Sequence, residues 1–196
     1  NIKNIVNKRG EIDLTMFKPF LSHSEEDGKV RLLRGTDVGF CRIEPMSMEK
    51  PSLIDKQKAL SKLGASKKVK HLSKSRLVCQ QIANQNNSDR LIFAMVEPNT
   101  FCGNSLNYIC WEGEDEALWN EVLLGILNST LLDWRFKITS TNNHVNNYEI
   151  DELPIPINDV HNPQLSNKLL AVGSIARELA VCPLDQIKPL TKKLDK

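Results

Sequence analysis

The sequence lacks the motifs by which many nucleotide-binding and metal-binding enzymes are recognised. Its glycines form neither a G-x-x-x-x-G-K-[ST] nor a G-x-G-x-x-G pattern, so no phosphate-binding loop is predicted. Its cysteines and histidines show no Cys-x-x-Cys or His-x-x-x-His spacing, so no metal site is predicted either. No catalytic constellation of side chains is evident. We therefore expect this chain to be a binding module without a cofactor of its own.

Long apolar runs are also missing. The most apolar segment, residues 122–132, is interrupted by Gly125, Asn128 and Ser129, and is shorter than the ~18 residues that span a bilayer. No signal peptide is visible at the N-terminus. The five cysteines are odd in number, and three lie within apolar runs, which indicates buried thiols in a reducing compartment rather than disulfides. We expect a cytoplasmic protein without membrane contact.

Residues 56–76 include no acidic residue and are rich in basic residues. The rest of the chain has 18 basic and 24 acidic residues, because the whole chain has 26 Lys+Arg against 24 Asp+Glu. Its formal charge is therefore −6, against +8 in the stretch itself. The basic residues of the stretch are Lys56, Lys58, Lys62, Lys67, Lys68, Lys70, Lys74 and Arg76.

Such a concentration of positive charge has two interpretations. A clustered basic surface can bind a polyanion by releasing the counterions condensed on its phosphates. A solvated lysine-rich loop is the alternative, and the charge run alone slightly favours it. The amide-rich segments that follow favour a nucleic acid, since Asn and Gln can bond base edges. The candidate base-reading residues are Gln80, Asn86, Asn142, Asn143 and His144.

The order of elements predicts an α+β fold, because strand patterns precede helix patterns. Short runs with apolar residues, separated by turn residues, predict strands at 30–34, 40–44, 76–83, 91–96 and 106–111. Apolar residues with helical spacing predict helices at 116–128 and 131–137, followed by another after Pro163. We expect residues 1–160 to form a recognition domain and residues 161–196 to be a C-terminal helix that packs on it or extends from it.

The helix after Pro163 carries apolar residues at alternating steps of four and three, which is a coiled-coil-like pattern. This pattern leaves open a function of another class: a protein-interaction module whose basic loop is incidental. In that case the apolar seam would dock a partner. The seam residues are Leu165, Leu169, Val172, Ala176 and Leu179.

Four segments resemble the TaqI-like C-terminal specificity domain of adenine-specific DNA methyltransferases and restriction-modification enzymes. Residues 123–134 (LLGILNSTLLDW) resemble its central helix motif, and residues 152–157 (ELPIPI) resemble its proline-containing strand. Residues 32–38 (LLRGTDV) and 74–78 (KSRLV) resemble two earlier elements in the same order. The resemblance covers about residues 30 to 180. It implies a mixed α/β recognition fold with a curved mixed or antiparallel sheet and supporting helices.

The resemblance also implies a function. The chain would recognise a sequence in double-stranded DNA and position the target adenine for a methyltransferase domain of the same parent protein. The Asn-Pro-Pro-Tyr motif and the S-adenosylmethionine motif of such enzymes are missing here, so catalysis and that cofactor are expected outside this chain. The basic residues would contact phosphates. Half of a type I restriction specificity subunit is the alternative within this class, and whether the parent also cleaves DNA stays open.

Overall fold

A computed structural model describes residues 4–24, 26–47, 50–156 and 163–195. Two of its α-helices lie between strands, and its other α-helices follow the last strand. The strands found there are β1 (Ile5–Arg9), β2 (Leu21–Ser22), β3 (Lys29–Leu33), β4 (Val38–Gly39), β5 (Arg42–Ile43), β6 (Leu53–Asp55), β7 (Arg76–Gln80), β8 (Phe93–Val96), β9 (Phe101–Cys102) and β10 (Leu106–Trp111). The α-helices are α1 (Lys56–Leu63), α2 (Lys67–Leu72), α3 (Glu116–Leu127), α4 (Thr130–Thr139), α5 (Asn147–Asp151), α6 (Pro163–Val181) and α7 (Ile187–Leu194).

Two four-stranded sheets organise the fold. The first has the order β1-β10-β7-β8 and is antiparallel throughout. The second has the order β2-β6-β3-β9, with β9 parallel to β3 and the other pairs antiparallel. Strands β4 and β5 form a separate hairpin. The predicted α+β class with a mixed or antiparallel sheet is therefore confirmed.

Alternating side chains of the first sheet fill two separate cores, because successive residues of a strand point to opposite faces. On β7, Leu77 and Cys79 join the core shared with α3, α4 and α6, whereas Val78 joins a core shared with the second sheet. A third core places α1 and α2 against the second sheet through Ala59 and Leu72. The fold therefore has four layers in this order: the helices α3, α4 and α6, the first sheet, the second sheet, and the two basic helices α1 and α2.

The predicted amphipathic helix is confirmed as α6. Ala176 and Leu179 are buried in the helix-side core, and Leu169 is buried as well. The helix packs closely on α3, where Val172 lies against Gly125. The side chain of Leu165 lies outside the described residues. Because these described seam residues already face the protein, the interpretation in which the seam docks a partner loses its main support.

Two strand predictions fail in part. The predicted strand at 40–44 is limited to β5, because Cys41 has a left-handed backbone with φ of 58° between β4 and β5. The proline-containing segment 152–157 is non-helical over residues 153–156, but it pairs with no strand there; Ile157 lies outside the described residues. Prolines lack the N–H that a ladder requires, so Leu153 and Ile155 are held by burial instead.

Strand β1 was not predicted, since its sequence Ile-Val-Asn-Lys-Arg has little alternation. All five of its residues pair with residues 107–111 of β10, and it becomes an edge of the first sheet. No helix in the described part of the chain is long and apolar enough to cross a membrane. The division into residues 1–160 and 161–196 stays a prediction.

Candidate nucleic-acid interface

The acid-free stretch forms two short capped helices rather than a loop. Asp55 caps α1 by accepting the backbone N–H of Lys58 at 3.0 Å, and Ser66 caps α2 by accepting that of Lys68 at 3.2 Å. Between them Gly64 has a φ of 58°, a left-handed conformation that suits glycine and ends α1. The lysines are thus displayed on ordered backbone.

Three lysines of this stretch are exposed and have no described hydrogen-bond acceptor: Lys56, Lys67 and Lys70. Lys58 is exposed as well, but its amine lies 3.0 Å from the carboxylate of Asp55. Exposed ion pairs of this kind are weak, so Lys58 can exchange that partner for a phosphate at little cost. These four side chains remain available for the predicted phosphate contacts.

Three other lysines donate hydrogen bonds to acceptors of the protein itself. Lys62 donates to the backbone carbonyl of Met16, and Lys74 donates to Glu116 at 2.9 Å. Lys68 is half-buried and donates to the carbonyl of Gly10 at 3.1 Å. Burial lowers the pKa of the Lys68 amine; the carboxylate of Glu11 opposes this shift, whereas the nearby Arg9 and Lys8 add to it. The stretch is therefore partly a structural brace, which its composition could not reveal.

Arg76 is a correction to the predicted site. Its side chain is fully buried, with one guanidinium nitrogen 3.1 Å from the carboxylate of Glu11 and another bonded to the carbonyl of Thr100. The guanidinium also lies over the ring of Tyr108, 5.0 Å from the ring centre. It cannot reach a phosphate in this arrangement. The sequence shows a basic residue at the start of a strand but not which face of the sheet it occupies.

The amide-rich segments are far apart in sequence, but the fold joins them. The N–H of Ala83 donates to the carbonyl of Asn143 at 2.9 Å, and the N–H of Val145 donates to that of Gln81 at 2.8 Å. Residues 141–145 therefore continue the sheet beside the end of β7, through a bridge between Ile82 and His144. This places the turn at 84–87 next to the tract at 142–144.

The predicted base-reading side chains differ in how free they are. Asn86, Asn143 and His144 are exposed, whereas Gln80 and Asn142 are half-buried. The side-chain carbonyl of Asn142 accepts the N–H of His144 at 2.7 Å, and that of Asn143 accepts the N–H of Gln85 at 3.0 Å. Gln80 donates to the carbonyl of Val38 at 3.3 Å. Asn142 and Asn143 thus hold their loop with the side-chain carbonyl and leave the NH2 group of the side-chain amide to a ligand.

The end of β1 connects the basic helix α2 to these amides. Arg9 donates to the side-chain carbonyl of Gln81 at 2.8 Å and to the backbone carbonyl of Asn104 at 2.7 Å. The next residue, Gly10, accepts the hydrogen bond of Lys68. We call this surface the polar rim; it comprises Lys8, Arg9, Lys67, Lys68, Gln80, Gln81 and residues 84–87 and 142–144. The sequence did not predict Lys8 and Arg9 as part of the site, because they lie far from residues 56–76 along the chain.

A groove of about 360 Å³ opens beside the polar rim. It is lined by Leu14, Arg34, Gly35, Thr36, Gln80, Ile82 and Ser105. The loop 34–36 is held against the first sheet, because the N–H of Gly35 donates to the hydroxyl of Ser105 at 3.0 Å. In the part of the chain that the structure describes, no three His, Cys, Asp or Glu side chains form a cluster that could hold a metal ion. The groove and the polar rim can therefore bind a ligand through hydrogen bonds and charge.

Comparisons with known proteins bear on this surface. Residues 30–155 match the family model of the TaqI-like C-terminal specificity domain, a match that covers more than half of the chain. Among solved structures, the chain resembles the type IIL restriction-modification enzyme MmeI, determined in complex with DNA, with a TM-score of 0.59 and 14% identity. The alignment covers 98% of this chain and 32% of that one, so the chain spans about a third of its length. At this identity the likeness shows the fold. No curated protein sequence matches.

Proposed function

The chain belongs to the family of TaqI-like C-terminal specificity domains, and we propose from this premise that it recognises a sequence in double-stranded DNA. The observation that carries the proposal is the polar rim, where the basic helix α2 meets the amide-rich loops through Arg9. Cations can hold the backbone of a duplex while neighbouring amides face its base edges. The solved complex of MmeI with DNA supports a nucleic-acid ligand for this fold.

We further propose that the parent protein is an adenine-specific DNA methyltransferase of a type II restriction-modification system. Its methyltransferase domain would lie outside this chain and would bind S-adenosylmethionine. A duplex held by the specificity domain would present its target adenine to that domain after the base leaves the stack. Transfer of a labelled methyl group from S-adenosylmethionine to adenine in duplex DNA, by the intact protein, tests this assignment. Label on cytosine instead, or none at all, would contradict it.

The exposed lysines of the basic helices supply the phosphate contacts in this proposal. Lys56, Lys67 and Lys70 have no described acceptor within the protein, so a phosphate would not have to displace one. Each phosphate contact adds about −0.9 to the slope of log affinity against log salt concentration. Two contacts therefore account for roughly a tenfold loss of affinity between about 50 and about 200 mM salt.

The test is a salt titration of duplex DNA binding by the intact protein, followed by fluorescence anisotropy. We expect Lys67→Glu with Lys70→Glu to lower affinity by at least about tenfold at low salt and to reduce the salt slope by about 1.8. The matched control is Lys192→Glu with Lys193→Glu, which makes the same charge change on exposed residues of α7 and should have a much smaller effect. Equal losses for both pairs would mean that only net charge matters. No duplex binding at about 50 mM salt would refute the proposed function.

A further inference from the structure

The eight arginines of the chain differ in how their guanidinium groups are used. Six donate hydrogen bonds to described acceptors within the protein: Arg9, Arg31, Arg42, Arg76, Arg90 and Arg177. Arg34 and Arg135 donate none to any described residue. Arg135 projects from α4 into a cleft that also contains Glu149 and Glu152. Arg34 lines the groove beside the polar rim, which has no acidic side chain in its wall.

The position of Arg34 is fixed although its guanidinium is unbonded. Its backbone N–H donates to the carboxylate of Asp37 at 2.7 Å, and that carboxylate also faces Arg31 at 3.3 Å. The one acid of this loop is therefore committed elsewhere. The Nε atom of Arg34 is buried without an acceptor, an arrangement that costs free energy unless something else compensates it. Arg42, Arg76 and Arg90 have a buried Nε of the same kind, but no described residue accepts a hydrogen bond from the terminal guanidinium nitrogens of Arg34, so these nitrogens are free to bind a ligand in the groove.

The neighbours of Arg34 define what that ligand is. The amide of Gln80 has a carbonyl without a described donor, and Ile82 is 59% exposed beside it. A phosphate site would gain from a second cation, and the groove wall contains none besides Arg34. A base edge instead presents paired acceptors, an amine donor and, on thymine, a methyl group. In the groove, Arg34 can donate to the paired acceptors, the side-chain carbonyl of Gln80 can accept from the amine, and Ile82 can contact the methyl group.

We propose that Arg34 is a base-reading residue, which donates two hydrogen bonds to the O6 and N7 atoms of one guanine in the major groove. Gln80 and Ile82 contact the adjacent base pair, through the amide and the apolar side chain. This inference rests on the proposed function, since it requires a duplex on the polar rim. It adds the specificity-determining residue and the base that this residue selects.

The experiment is a selection from a duplex library of randomised sequence, using the intact protein. The wild type should select a site with a fixed guanine at one position. Arg34→Ala should remove the preference for that guanine by about 5- to 150-fold, since a bidentate pair discriminates by that factor. Arg34→Lys should lose most of the preference as well, because lysine keeps the charge but not the planar fork. Arg135→Ala, the other arginine without a described acceptor, is the matched control and should select the unchanged site.

Three results would overturn the inference. If Arg34→Ala weakened all duplexes equally, with the guanine still selected, the residue would be a phosphate contact. If Arg135→Ala lost the preference for guanine, Arg135 on α4 would be the base-reading residue instead of Arg34. If the wild type selected no duplex sequence at all, the proposed function would fail together with this inference. Should Arg34→Ala not fold in a circular dichroism melt, Arg34→Lys decides between these results.

Discussion

Replacing Arg76 tests whether a residue that the sequence marks as a DNA contact is structural instead. Both Arg76 and Glu11 have completely buried side chains, 3.1 Å apart, and the carboxylate of Glu11 also accepts the N–H of Cys102 at 2.8 Å. Arg76→Met removes the positive partner and leaves that carboxylate buried. Breaking a buried pair in this way costs about 3–5 kcal/mol. For a chain of this size that corresponds to a fall in melting temperature of about 6–20 °C.

Thermal unfolding by circular dichroism measures the effect. The control is Lys70→Met, which removes one positive charge from an exposed residue of the same stretch and should change stability by less than about 0.5 kcal/mol. The double variant Arg76→Met with Glu11→Gln should be more stable than Arg76→Met alone, because no unpaired charge stays buried. DNA affinity should show the opposite pattern: Lys70→Met should reduce the salt slope by about 0.9.

The reasoning would be refuted if Arg76→Met melted within about 2 °C of the wild type. It would also be refuted if a normally folded Arg76→Met protein bound every duplex more weakly with a reduced salt slope. Either result would mean that the guanidinium is not confined between the two sheets. A double variant less stable than Arg76→Met by the full cost of Glu11→Gln would show that the two side chains do not interact.

Three further predictions concern packing and burial. Gly125→Ala should lower stability by about 1–3 kcal/mol in a thermal melt, because the Cβ of the new alanine would lie 2.5 Å from Cγ1 of Val172 on α6. An unchanged melting temperature would mean that α3 and α6 are not this close. Asn128→Ala should cost about 1–3 kcal/mol by denaturant unfolding, because its side chain bonds both backbone groups of Phe93. Asn128→Asp should cost at least as much, because it would place a buried carboxylate against the backbone carbonyls of Phe93 and Leu124. All five cysteines are buried, and burial raises the pKa of Cys110 to about 11, so a thiol reagent should react with them only after denaturation. Rapid reaction with the native protein would contradict that burial.

Two sets of lysines, which alternate along the acid-free stretch, have different roles in the structure. Lys62, Lys68 and Lys74 attach the basic helices and the loop after them to the rest of the fold. Lys67 and Lys70, which come from the same helix α2 as Lys68, stay exposed. A helix places residues three apart on nearly the same side and adjacent residues about 100° apart, so alternate use of its lysines follows from its geometry. The charge run is thus both a brace and a candidate binding surface.

The sequence by itself determined the class of fold and the main elements. Short apolar runs bounded by turn residues at 76–80 and 106–111, and helical spacing in 116–127, produce strands and helices where local patterns predict them. The N-cap of α4 at Ser129 and the turn residues at 84–89 between β7 and β8 are equally local features. The four family motifs are also local strings, so their order along residues 30–155 could be identified without a structure.

Only the tertiary structure decided which charged residues are exposed. Arg76 and Lys74 differ from Lys67 and Lys70 in the acids and carbonyls that other elements place beside them, and those partners lie up to 65 residues away. The same holds for the polar rim, where Arg9 on an unpredicted edge strand joins segments far apart in the chain. Arg34 differs from six of the other arginines because no described residue accepts a hydrogen bond from its guanidinium, although the groove holds its side chain. Local sequence encodes backbone preference, but the burial and pairing of a charge depend on the residues that folding brings to it.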